Sequence, residues 1–222
     1  MSELDEIAVR HRTDKSSRRH NYAQFYDRIF SRARMKSVRF LEVGIGTGET
    51  MEFMGGAYKP GASLRMWAEY FCNAHVIAGI DTEAECMFQE GAIRTALADS
   101  RSKESVAAAM GELATERFDV ILDDGLHTQC AQVETLCALH DALDSDGVYI
   151  IEDIRRPELL LSKLKSLLPR HRFHLETFAS LRPRKRLLDS NIIVILPERP
   201  PVGLPEDTLA GAVAAALPPE DA

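Results

Sequence analysis

Three acidic segments and one histidine hold the residue types from which group-transfer chemistry can be built. The first segment is Glu42-Val43-Gly44-Ile45-Gly46-Thr47-Gly48. Its glycines permit close backbone approach to a ligand, but the spacing is GxGxG, whereas dinucleotide-binding proteins use GxGxxG opening directly into a helix. A carboxylate shortly before the first glycine suits a ligand with an ammonium group, such as the methionine end of S-adenosylmethionine, better than a pyrophosphate. Glu42, Gly44 and Gly46 are therefore candidate cofactor residues. Asp81 follows the apolar run HVIAGI, where a carboxylate can accept both hydroxyls of a ribose. Asp99 and Ser100 follow the stretch TAL, where contact with an adenine is expected. The plainer alternatives are a turn aspartate and a helix cap.

Two acidic turns come later, Asp123-Asp124-Gly125-Leu126-His127 and Glu152-Asp153. Carboxylates are the hard oxygen donors that Mg²⁺ prefers, so convergence of both turns on one sheet edge predicts a divalent-cation site. The alternative is helix capping, worth about 1 kcal/mol per cap. His127 is the candidate general base, because an imidazole with an ordinary pKa of about 6.5 takes up a proton near neutrality.

These turns need a scaffold that brings strand ends together. SVRFLEVGI (37–45), HVIAGI (75–80), FDVILDD (118–124), GVYIIED (147–153) and NIIVIL (191–196) have the apolar character of buried parallel strands. Between them, SLRMWAEYF, KESVAAAMGEL, QCAQVETLCALHDAL and PELLLSKLKSLL place apolar residues at helical spacing. The alternation predicts an α/β fold with a doubly wound, mostly parallel sheet. FHLETFASL and NIIVIL, joined by the basic RPRKRLLDS, predict a C-terminal antiparallel hairpin. Three parts result. Residues 1–36 form a helical segment that caps the mouth of the sheet, 37–197 the catalytic domain, and 198–222 a Pro/Ala-rich tail, read as an appendage or an oligomer contact with a weak helix over 209–217.

A chain of 222 residues fits one such domain. With 45% hydrophobic residues it can bury a substantial core, and a net charge of −7 disfavours nucleic acid as a partner. The sequence shows no secretory signal and no membrane span, which predicts a cytoplasmic protein. Cys72, Cys86, Cys130 and Cys137 form no CxxC pair and read as reduced packing thiols.

In order, TDKSSRRHNYAQFY (13–26), FLEVGIG (40–46), PGASLRMWAEYF (60–71), IAGID, DDGLH and YIIED resemble the macrocin and mycinamicin sugar O-methyltransferase family, class I S-adenosylmethionine-dependent enzymes. The resemblance covers most of the catalytic domain and implies a seven-stranded Rossmann-like methyltransferase sheet. It implies that Asp124, Glu152 and Asp153 bind Mg²⁺, that His127 is the catalytic base, and that Glu42, Gly44, Asp81 and Asp99 surround S-adenosylmethionine. The implied reaction is O-methylation of a small-molecule acceptor, a sugar or glycosylated natural product, in antibiotic biosynthesis. Lys15, His20 and Tyr22 are read as closing over the site, with solvated surface positions as the alternative, and Trp67 as a packing residue. Leu126 stands where a polar residue is usual, and IEDIRRPELLL lacks the family's continuation; both departures bear on the acceptor. The competing readings are a phenol or catechol methyltransferase, a hydroxylase-like relative of the same fold, an NAD-dependent oxidoreductase and a noncatalytic cofactor-binding protein.

Overall fold

Along strand β1 (Arg39–Val43), Phe40 and Leu41 are both fully buried, yet they belong to two different apolar cores. Successive side chains of a strand leave opposite faces of its sheet, so a strand apolar on both sides must be covered on both. The computed structural model describes residues 1–56, 58–113, 115–178, 189–198 and 208–218. The basic turn at 182–186 and tail residues 199–207 and 219–222 lie outside the described residues.

After β1 come β2 (Val76–Asp81), β3 (Gln89–Glu90), β4 (Ile93–Leu97), β5 (Phe118–Asp123), β6 (Leu143–Ile151), β7 (Arg172–Thr177) and β8 (Asn191–Leu196). They form a mixed eight-stranded sheet in the order β3-β4-β2-β1-β5-β6-β8-β7. Strands β4, β2, β1, β5 and β6 run parallel, β8 pairs antiparallel with both β6 and β7, and β3 pairs antiparallel with β4. The expected count of seven is thus corrected to eight. The addition is β3, two exposed polar residues turned back on β4, too short to leave a pattern in the sequence. The strand order reverses between β1 and β5, which places a crevice at the carboxyl ends of these two strands.

The helices are α1 (Glu3–His11), α2 (Tyr22–Phe30), α3 (Ala62–Tyr70), α4 (Lys103–Leu113), α5 (Gln129–Leu139), α6 (Pro157–Leu167) and α7 (Leu209–Ala216). Residues of α1, α2, α3 and α7 share the core of Phe40, Val120 and Ile150, whereas those of α4, α5 and α6 share that of Leu41, Ile121 and Ile151. Residues of the 1–36 segment thus contribute to the main core. The tail helix α7 packs onto α2 and β6, with Ala210 and Val213 fully buried. Thr128 caps α5 by accepting a hydrogen bond from the Ala131 N–H, which fixes the chain just after His127. Among the described residues no helix is long and apolar enough to cross a membrane, and all four cysteines are free thiols.

Trp67 is a packing residue, fully buried, with its ring centroid 4.8 Å from Phe40 and 5.3 Å from Tyr26. Trp67→Ala is expected to cost about 3–5 kcal/mol, measured by urea unfolding; a loss below about 1 kcal/mol would contradict this packing.

Candidate functional site

A cleft of about 810 Å³ opens at the carboxyl ends of the central strands, within the size range of small-molecule sites. Gly44, Gly46, Asp81, Asp99, Ser100, Asp124, His127 and Asp153 all line it. Glu42 and Glu152 do not, and each is at most 1% exposed. Glu42 in β1 alternates with Leu41, and Glu152, the residue after β6, alternates with Ile151, so they share a face with Phe40 and Ile150 and lie beneath the N-terminal helices.

The glycine turn is fixed by its neighbours. Gly44 has φ +87°, and a Cβ there would lie 2.2 Å from the carbonyl oxygen of Asp124, so the turn touches the β5 end directly and admits only glycine. Asp81 Oδ2 accepts hydrogen bonds from the N–H groups of Ile45 (2.8 Å) and Gly46 (3.2 Å). Its carboxylate holds the turn's shape while still facing the cleft. Asp99 is paired with Arg101 at 2.8 Å, and the Ser100 hydroxyl lies 2.9 Å from that of Thr135.

On the other side of the cleft, the Lys15 side chain is 1% exposed, and its Nζ meets carboxylates from three strand ends. It lies 3.3 Å from Glu42, 2.7 Å from Asp124 and 2.5 Å from Glu152. Tyr26 donates its hydroxyl to the other oxygen of Glu152 at 2.5 Å, and Tyr22 donates to Asp153 at 2.5 Å. His127 sits between two carboxylates, with Nε2 3.3 Å from Asp124 Oδ1 and Nδ1 3.7 Å from Asp153 Oδ2. The buried position of Lys15 excludes the solvated alternative. Tyr26 was not singled out in the sequence, although Tyr22 and Tyr26, four apart on one helix, share a face and can point two polar tips the same way.

The electrostatics follow from this crowding. Burial pushes Asp124 up, but Lys15 and His127 outweigh it and hold the carboxyl well below its usual range. Burial raises Glu42 to about 7 despite Lys15, and burial with the nearby Asp124 charge raises Asp153 to about 6. Burial alone would lower His127; the hydrogen bond to Asp124 and the charges around it push the imidazole up to about 9. Asp124, His127 and Asp153 can each bring one ligand atom within 4.8 Å of the others. The oxygen donors fit a hard divalent cation, and an imidazole among them also suits transition metals. Glu152 is not among these three, and its two oxygens accept from Lys15 and Tyr26.

No protein-family model matches the chain. It is 33% identical over 154 residues to demethylmacrocin O-methyltransferase of Streptomyces fradiae, a match covering 68% of this chain and 36% of that protein. It is 32% identical over 155 residues to mycinamicin VI 2''-O-methyltransferase of Micromonospora griseorubida, covering 68% and 36%. The match thus spans little more than a third of the length of these curated relatives. Among solved structures, the MycE methyltransferase from the mycinamycin biosynthetic pathway, in complex with Mg and SAH, superposes with a TM-score of 0.69 at 25% identity, over 92% of this chain and 57% of that one. A ribosomal protein L11 methylase from Lactobacillus delbrueckii superposes with a TM-score of 0.52 at 16% identity, over 81% and 80%, a likeness of fold.

Glu42, Asp153 and His127 all have raised pKa values, so without a cation the folded protein keeps protons that the unfolded chain has released. Each contributes stability that is complete below its unfolded-chain pKa and is lost as pH rises through about 7, 6 and 9 respectively. Urea unfolding of the cation-free protein is therefore expected to show stability falling as pH rises from about 5 to 9. A flat or rising profile would contradict the site's electrostatics. Gly44→Ala is expected to disrupt both the turn and the β5 end, seen as a lower unfolding temperature.

Proposed function

Starting from the chain's kinship with the macrocin and mycinamicin sugar O-methyltransferases, we propose that it is an S-adenosylmethionine-dependent O-methyltransferase. Its acceptor is a hydroxyl on a sugar or glycosylated natural product. The observation that carries this reading is the continuity of the cleft, which joins the glycine turn, Asp81 and Asp99 to Asp124, His127 and Asp153. In this reading Gly44, Gly46, Asp81, Asp99 and Ser100 surround the cofactor. Glu42 serves the site from behind, as a partner of Lys15. The enzyme works in the cytoplasm, where its four free thiols stay reduced.

Asp124 and Asp153 would hold Mg²⁺, and Glu152 supports them by anchoring Lys15. When bound, S-adenosylmethionine would supply an activated methyl group, and a divalent cation would polarise the acceptor hydroxyl and, by sharing the charge of the carboxylates, lower the proton affinity of the imidazole. The cleft walls would orient the acceptor oxygen, and a ring nitrogen of His127 would take up the hydroxyl proton on methyl transfer. Asp124 and Asp153, on either side of the ring, position it. Leu126 is 60% exposed and lines the cleft next to His127, so the acceptor meets an apolar wall there. That wall favours a phenol or catechol acceptor as the second reading.

Calorimetric titration of the protein with S-adenosylmethionine, S-adenosylhomocysteine and NAD tests the cofactor. The two sulfur compounds are expected to bind and NAD is not; the reverse would move the chain to oxidoreductase chemistry. With a panel of glycosides and phenols as acceptors, His127→Ala is expected to lower turnover by about 100-fold or more while the fold survives. Turnover within a few fold of the unsubstituted enzyme would remove His127 as the base.

A further inference from the structure

The two carboxylates best placed for a cation are not free to turn. Asp124 has Oδ2 bonded to Lys15 Nζ at 2.7 Å, and Asp153 has Oδ1 bonded to the Tyr22 hydroxyl at 2.5 Å. In each case the remaining oxygen is the one that faces His127. Lys15 lies in the loop between α1 and α2 and Tyr22 is the first residue of α2, and both are 1% exposed. Asp153 is pinned through its backbone as well. It has φ +52°, the left-handed region that a non-glycine residue rarely adopts. On one side Gln132 Nε2 donates to the Glu152 carbonyl at 3.1 Å, and on the other Asn191 Nδ2 donates to the Ile154 carbonyl at 2.6 Å. Such a conformation persists where its surroundings over-determine it, and it concentrates at functional sites.

We propose that the N-terminal segment is the outer coordination shell of the cation site: Tyr22 orients Asp153 toward the ion, and Lys15 holds Asp124 while placing a competing positive charge beside it. This rests on the cation site of the proposed function and adds what sets its affinity. Partners behind metal ligands change affinity by about 10–100-fold, and here the two act with opposite signs. Without the Tyr22 hydroxyl, Asp153 can rotate its free oxygen away, and binding weakens. Without the Lys15 ammonium, a divalent ion at Asp124 no longer meets a like charge a few ångströms away in a site with little solvent, and that relief outweighs the lost orientation. A general loss of structure would weaken binding in both cases.

The test is calorimetric titration of Mg²⁺ into cation-free protein without cofactor or acceptor, with the Mn²⁺ electron paramagnetic resonance signal as a second readout. Tyr22→Phe is expected to bind about 10-fold or more weakly than the unsubstituted protein, with its circular dichroism unchanged. Because Lys15 pairs with three carboxylates, its role is read in a background with one fewer of them. Lys15→Met combined with Glu152→Gln is expected to bind Mg²⁺ about 10-fold more tightly than Glu152→Gln alone. Equal affinity of Tyr22→Phe and the unsubstituted protein overturns the proposal, as does weaker binding by the double variant than by Glu152→Gln. If the Lys15 variants do not fold, the Tyr22 comparison decides. An unsubstituted protein that binds no Mg²⁺ overturns the cation site itself, whereas binding that the variants leave unmoved overturns the outer shell alone.

Discussion

The Lys15 ammonium draws together the end of β1 through Glu42, the β5 turn through Asp124 and the β6 end through Glu152. Taking an ion out of water costs several kcal/mol after relaxation, and only close pairing offsets it. Three carboxylates in one poorly solvated space repel one another, and even beside Lys15 burial keeps Glu42 raised to about 7. One buried cation at their centre lets the acidic turns of adjacent parallel strands lie side by side. The segment that carries it shares the main core with α1, α2 and α3, so the carboxylates and their counter-charge are placed by the same packing. The acidic side of the cleft has this ion cluster as its floor, and His127 with the free oxygens of Asp124 and Asp153 as its working surface.

Much of this was legible in the residues. Strand positions could be read because buried parallel strands are apolar on both faces, as Phe40 and Leu41 illustrate. The cleft-lining places of Gly44, Asp81, Asp124 and His127 follow from their standing just past strand ends, a local property of the sequence. The parity of Glu42 and Glu152 was also present, since both alternate with apolar neighbours. Which face the N-terminal helices cover depends on crossovers that no local pattern records. The polar run TDKSSRRHN has the composition of a solvated loop, and only tertiary contacts bury its lysine. Tyr26 read as one more apolar position of a helix, because its ring serves the core while its hydroxyl serves Glu152.

The two acidic doublets divide their work in the same manner. Asp123 is 2% exposed and accepts the Gly125 N–H at 3.2 Å, shaping the turn, and burial raises its carboxyl to about 7. Its neighbour Asp124 reaches the cleft. In the second doublet Glu152 is the buried member and Asp153, bent by its left-handed backbone, reaches the cleft. Each strand end thus supplies one carboxylate to structure and one to the site. This explains why acidic residues come in pairs where a single ligand would seem to suffice.

The contacts that build the acidic side join distant parts of the chain. Lys15 is 109 residues from Asp124 and 137 from Glu152, and Tyr22 is 131 from Asp153. Closing loops of that length is entropically costly, and folds rich in such non-local contacts form slowly. The acidic side of the cleft therefore has its counter-charge only once the N-terminal segment has docked on the sheet.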